Sequence, residues 1–181
     1  MHQTNNGKIA SRKELMARYP DAGEEIDSVL PPPKYKPLPL AAHYDSDLAY
    51  GRVARRSIGG VVRMVDKKAT IHKTKRKTNV ETLTYGAELN TGRVDIEHCQ
   101  ETRCMLRSVG VEANSPTKWY GDNKSAYEHC ANKNAECISR HSSMSFHKMR
   151  ESVAAGIITP RHVVCSEENI PLTLESRHII I

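Results

Sequence analysis

Six of the nine prolines lie before residue 40, in YPDAGEEIDSVLPPPKYKPLPL, and this distribution divides the chain more firmly than any other feature. Proline fixes φ and lacks an amide hydrogen, so a segment this rich in it is confined to extended, weakly hydrogen-bonded structure. Residues 1–39 are therefore expected to form a proline-rich extended arm or linker. Such an arm should make few contacts with the rest of the chain, because it buries little apolar surface to offset its ordering. Residues 40–175 carry the patterning of a folded domain, and 176–181 read as a short tail. A total of 181 residues suits one domain with a real core.

Within the domain the apolar spacing changes period several times. Leu40, Ala42 and Tyr44 alternate as in a half-buried strand, and further strand-like pieces fall near 57–65 and 69–75, the last two joined by Asp66-Lys67-Lys68 as a tight hairpin. A segment from about 79 to 109 lacks proline and stops at Gly110, which predicts a long helix with a glycine cap. TKWYGDN reads as a short strand ending in an acid, KSAYEHCAN as a short helix, and SSMSFHKMRESVAAG as a helix closing on Gly156. IITPRHVVC supplies a last strand, and Pro160 suits a sheet edge. Two stripes compete for the buried face of the long helix. One runs Leu83, Ala87, Thr91, Val94, His98, Thr102, Met105 and is half polar; the other offers Leu89, Ile96, Cys99, Leu106 and Val109.

Charge and cysteine usage narrow the function classes. The formal charge of +6 makes an anionic partner such as nucleic acid plausible. No apolar run approaches the roughly 18 residues of a membrane span, and MHQTNNGK lacks the apolar centre of a signal peptide, so an intracellular protein, cytoplasmic or nuclear, is expected. Five cysteines, an odd number, argue for free thiols. His129, Cys130, Cys137 and His141 are spaced unlike a zinc knuckle or finger, and Cys99 and Cys104 point to different faces of one helix.

Two local features carry chemistry. Asp45 and Asp47 lie on one face at the end of the first strand, where two carboxylates repel each other unless a cation lies between them; a solvated turn is the plainer alternative. Residues 67–77, KKATIHKTKRK, hold six basic residues in eleven. On a strand Lys73, Lys75 and Lys77 form a row able to track phosphates, with Arg52, Arg55 and Arg56 nearby; a lysine-protected edge strand is the alternative.

Three strands, a helix, a strand, helices and a strand, with acids after the first strand, early in the long helix and after the fourth strand, is the layout of an α/β, ribonuclease H-like fold. It implies a five-stranded mixed sheet flanked by helices. The blocks DSDLAYGRVARRSIGG, VETLTYGAEL, YGDNKSAYEH and HSSMSFHKMRESVAAGI resemble, in order, those of the ribonuclease H domain of copia-type retrotransposon polyproteins, over about residues 18–172. The resemblance implies hydrolysis of the RNA strand of an RNA/DNA hybrid by two magnesium ions, held by Asp45, Glu88 and Asp122 as catalytic residues. Asp45 would bridge the ions, and Asp47 is left as a turn residue or as one that supports the ligands without touching a metal. The basic residues Arg55, Arg56, Lys73, Lys75 and Lys77, read above without the family, and Asn123 are the expected nucleic-acid contacts beside this site; the resemblance further implies a structural or substrate-proximal place for His141 and His147, and an original reverse transcriptase partner in the same polyprotein.

The sequence departs from the family pattern at the fourth acid, where EENIPLTLESRH places Leu172. An isobutyl group offers no lone pair to a metal. Three functions fit: a working ribonuclease H, a non-catalytic nucleic-acid-binding relic, or a protein-interaction scaffold that uses the arm. Magnesium-dependent cleavage and the salt dependence of hybrid binding separate them.

Overall fold

The computed structural model describes residues 12–47, 58–76, 84–113, 115–132, 134–137 and 142–163. The elements run α1 (Arg12–Met16), β1 (Leu40–Asp47), β2 (Ile58–Val65), β3 (Lys68–Arg76), α2 (Thr84–Ser108), β4 (Thr117–Gly121), α3 (Lys124–Ala131), α4 (Ser143–Ala155) and β5 (Ile158–His162). The five strands form one sheet in the order β3-β2-β1-β4-β5. β1, β2 and β3 pair antiparallel, whereas β4 runs parallel to both β1 and β5, giving the expected mixed sheet.

Local chemistry explains these boundaries. Asp66 and Lys67 take φ of 48° and 66°, so the β2–β3 connection is a two-residue turn with both central residues left-handed, the type whose twist matches that of paired strands. Gly110 and Gly156, at φ 80° and 78°, lie just beyond α2 and α4, a conformation a side chain resists. Pro160 sits on β5, an edge strand.

The core lies between the sheet and the helices. Ala42 and Tyr44 of β1, Val61 of β2 and Trp119 of β4 meet Leu89, Ile96 and Cys99 of α2, with Met149 and Val153 of α4 and Ile157 and Ile158 completing it. Cys99 is buried and Cys104 exposed, as their different helix faces require. A Cβ at Gly92 would come within 2.8 Å of the Trp119 ring, so α2 approaches the sheet this closely only because residue 92 has no side chain.

Neither apolar stripe describes the buried face of α2. Thr91 and Thr102 of the first are buried while its Met105 is exposed, and Val109 of the second is exposed. The buried face is part polar because Asp95, wholly buried, accepts a hydrogen bond from Trp119 Nε1 at 2.9 Å and lies 3.7 Å from Arg63 Nε of β2. Arg63 also donates to Thr102 Oγ1 at 2.9 Å.

The arm departs from the expectation of few contacts. Leu15 is fully buried in the core, and α1 lies against α4. Arg12 donates to the carbonyls of Ala154 and Ala155, both at 3.0 Å, at the carbonyl end of α4 where cations are favoured. Tyr19 Oη lies 2.9 Å from His147 Nδ1, and Glu24 takes a two-pronged bond from Arg103 of α2. Composition averaged over 39 residues hides this, because the side chains that anchor the arm, at Arg12, Leu15, Tyr19 and Glu24, all precede the proline-rich stretch from Pro31 to Pro39.

Candidate metal centre

Two parallel strands set up the centre. β1 and β4 are paired with Ala41 opposite Lys118 and His43 opposite Tyr120, and the register continued by two residues puts Asp45 level with Asp122. Neighbouring strands are about 4.8 Å apart, so both carboxylates emerge side by side at the C-terminal ends of the strands. Glu88, on the second turn of α2, closes the group from the helix layer. One carboxylate oxygen from each of Asp45, Glu88 and Asp122 lies within 4.8 Å of the others. Asp45 and Asp122 are exposed, whereas Glu88 is 2% exposed.

Three carboxylates this close form a hard, anionic oxygen donor set, with one buried member fixed in place and two facing solvent. Such a set fits a divalent ion that keeps several waters and suits neither thiolate- nor imidazole-seeking metals. Asp47 closes β1 opposite Ile58.

Two neighbours of the acids gave no sequence signal. The Tyr44 ring stacks on Trp119 at 4.1 Å, and its hydroxyl reaches beneath Gly121. Burial, then the charges of Cys130, Glu88, Asp122 and Asp95, hold the Tyr44 phenol well above its ordinary pKa, so it stays a neutral donor. His162, at the end of β5, has Nε2 3.0 Å from the carbonyl oxygen of Asp122, and Val163 N–H donates to Gly121 O at 3.0 Å. These two bonds fasten the backbone that carries Asp122 to the edge strand. Both residues read in sequence as ordinary strand positions; only the strand register brings them beside an acid.

A side chain at residue 121 would overlap the Tyr44 hydroxyl and ring. Gly121→Ala is therefore expected to lower stability by about 1–3 kcal/mol. Tyr44→Leu, which removes the hydroxyl and the ring atoms nearest residue 121, should make Gly121→Ala cost less than it does in the unaltered chain, giving a non-additive pair in denaturant titrations; additive losses would mean that the overlap is relieved elsewhere.

The other sequence candidates among the described residues have partners of their own. Asn123 Oδ1 accepts the Ala126 amide at 3.0 Å and caps α3, which commits its oxygen to the helix. Lys73 Nζ lies 3.0 Å from His98 Nε2, whose Nδ1 is 2.7 Å from Glu101, so this lysine belongs to a chain of side chains crossing to α2. The His98 hydrogen bond holds the Glu101 carboxyl below its ordinary pKa. His147 stands on α4 with Tyr19 and lies edge-on to Phe146 at 5.3 Å. Cys130 is buried in the core, its thiol pushed up to about 12 by burial. Arg55, Arg56, Lys77, His141 and Leu172 lie outside the described residues, as does the side chain of Lys75. Among the described residues no helix is long and apolar enough to cross a membrane.

No protein-family model matches the sequence, and no curated protein does. Solved structures do. The ribonuclease H1 of the halophilic archaeon Halobacterium salinarum NRC-1 is similar with a TM-score of 0.51 at 12% identity, over 70% of this chain and 86% of that one. LC11-RNase H1, isolated from compost by a metagenomic approach, gives 0.54 at 15% identity over 76% of this chain and 91% of its own. The fold is ribonuclease H-like. LC11-RNase H1 in complex with RNA/DNA hybrid is similar too, with a TM-score of 0.53 at 12% identity, over 72% of this chain and 88% of that one.

Proposed function

We propose that the chain is a ribonuclease H-type domain that binds RNA/DNA hybrids and holds magnesium at Asp45, Glu88 and Asp122. On this reading it descends from a copia-type retrotransposon polyprotein in which it followed a reverse transcriptase. The observation that carries the reading is the convergence of three carboxylates from β1, α2 and the end of β4 on a ribonuclease H-like sheet. The solved complex of LC11-RNase H1 with RNA/DNA hybrid supports the choice of partner.

Two bound magnesium ions would supply an activated water and stabilise the leaving oxygen of a phosphodiester. The chain's own residues set the geometry. Glu88 is immobilised by burial, Asp45 reaches the group from β1, and Asp122 is aimed by the backbone bonds to β5. Lys73, Lys75, Lys77, Arg55 and Arg56 would meet phosphates, and the Asn123 amide nitrogen would donate to the strand, its oxygen being held by α3. Lys73 enters such contacts already shared with His98.

Leu172 in the place of a fourth acid removes one negative charge from a site that must gather two dications. The triad then favours one ion over two, and hydrolysis is slow. A non-catalytic hybrid binder is the limiting case.

The test is hybrid binding and cleavage by one preparation. Binding should weaken steeply as salt rises. Magnesium-dependent cleavage should be slow, fall about a hundredfold or more in Asp45→Asn, and rise in Leu172→Asp. Absence of hybrid binding at low salt would overturn the reading; brisk cleavage by the unaltered chain would overturn the role given to Leu172.

A further inference from the structure

The acid cluster leaves the opposite end of the sheet unused, and that end carries an exposed aromatic ring among lysines. Tyr35 is 65% exposed and stands between exposed Lys34 and Lys36. It is nevertheless held in place. The amides of Lys34 and Tyr35 both donate to Gly110 O, at 2.8 and 3.1 Å, and Leu38 N–H donates to Glu112 O at 2.9 Å. The ring edge lies over Gly110, whose φ of 80° turns the chain at the end of α2. Pro31, Pro32, Pro33, Pro37 and Pro39 restrict the strap on either side. An exposed tyrosine is thus ordered before anything binds it.

More positive charge stands at the Pro39 end of the same strap. Asp66 N–H donates to Pro39 O at 3.0 Å, which fixes the β2–β3 turn, with exposed Lys67 and Lys68, next to the strap. Leu40 pairs with Val65 at this end, five residues before Asp45 on β1. At about 3.3 Å per residue the ring and the acids are more than roughly 15 Å apart, too far for one nucleotide to touch both.

We propose that Tyr35, with Lys34, Lys36, Lys67 and Lys68, forms a second nucleic-acid contact that takes single strands, a base stacking on the phenol and the ammonium groups meeting flanking phosphates. Stacking on an exposed ring inside a basic surface is how single strands are held without regard to sequence. A proline-recognising protein is the less favoured occupant, since the strap amides at Lys34, Tyr35 and Leu38 are already bonded to the end of α2. The inference shares with the proposed function only the class of partner.

Anisotropy of a labelled twelve-residue oligothymidylate, in chelator so that metal at the acids plays no part, tests it. Tyr35→Ala should weaken binding roughly five- to a hundredfold, and Tyr35→Phe should bind as the unaltered chain does. Lys34→Ala with Lys36→Ala should weaken binding and reduce its salt dependence by about one to two phosphates. Unchanged binding by Tyr35→Ala would overturn the proposal. So would full binding by Tyr35→Leu, which would show that no base stacks on the ring. Hybrid binding and cleavage, with their dependence on Asp45, are scored separately, so either reading can fail alone.

Discussion

Asp95→Ala is expected to lower the unfolding free energy by about 3–5 kcal/mol, because it leaves the buried Trp119 N–H and the buried Arg63 guanidinium without the carboxyl group that both face. Asp95 is wholly buried and joins three elements, taking the Trp119 N–H of β4 and facing Arg63 of β2 from α2. Burial pushes its carboxyl from the ordinary 3.8 up to about 7, against the lowering effects of Trp119 and Arg63. A folded value above the unfolded one means that the stability from the protonated form is complete below about pH 4 and is lost as pH rises through about 7. Tyr44 and Cys99, the other titratable groups that feel this charge, are both held neutral by burial. The stability difference between the unaltered chain and Asp95→Asn should therefore shift with pH by a few kcal/mol across that window, in the direction of a less stable unaltered chain at higher pH. Chemical denaturation from pH 4 to 8 checks it. A difference independent of pH would show that Asp95 ionises in the fold as easily as in the unfolded chain.

The same network shows why the long helix was hard to read from sequence. Hydrophobic periodicity finds the buried face of a helix only when that face is apolar. Here the sheet-facing positions include Thr91, Asp95 and Thr102, whose partners come from strands 30 or so residues away or from the preceding helical turn. The strands were legible because alternation and the Asp66-Lys67 turn are local signals, and both helix stops were legible because glycine adopts the left-handed φ there without a steric cost. Asp45, Glu88 and Asp122 were legible through the family resemblance and the order of its motifs, and they converge because parallel pairing of the first and fourth strands leaves their ends level. Tyr44 and His162 were illegible for the complementary reason: their closeness to the acids is set by register across the sheet, and a tyrosine or histidine on a strand announces nothing by itself.

Leu15→Ala is expected to lower stability by about 2–5 kcal/mol, the usual cost of emptying a fully buried leucine site. At about 2–4 °C per kcal/mol for a chain of this size, that is a fall of roughly 4–20 °C in Tm. Removing residues 1–24 should cost more. It takes away the leucine, the Arg12 bonds to the last carbonyls of α4, and the Tyr19 hydroxyl beside His147. It also takes away Glu24, which leaves the largely buried Arg103 without its carboxylate, though still donating to Ser115 O at 3.0 Å. Arg103→Met in the truncated chain should then recover part of the loss, because it removes the stranded charge while keeping most of the side-chain volume. A truncated chain that melts with the full one would show that α1 adds nothing to the core and that the arm is a tether after all. A large fall that Arg103→Met does not relieve would place the whole effect in the packing of Leu15 and Tyr19 against α4.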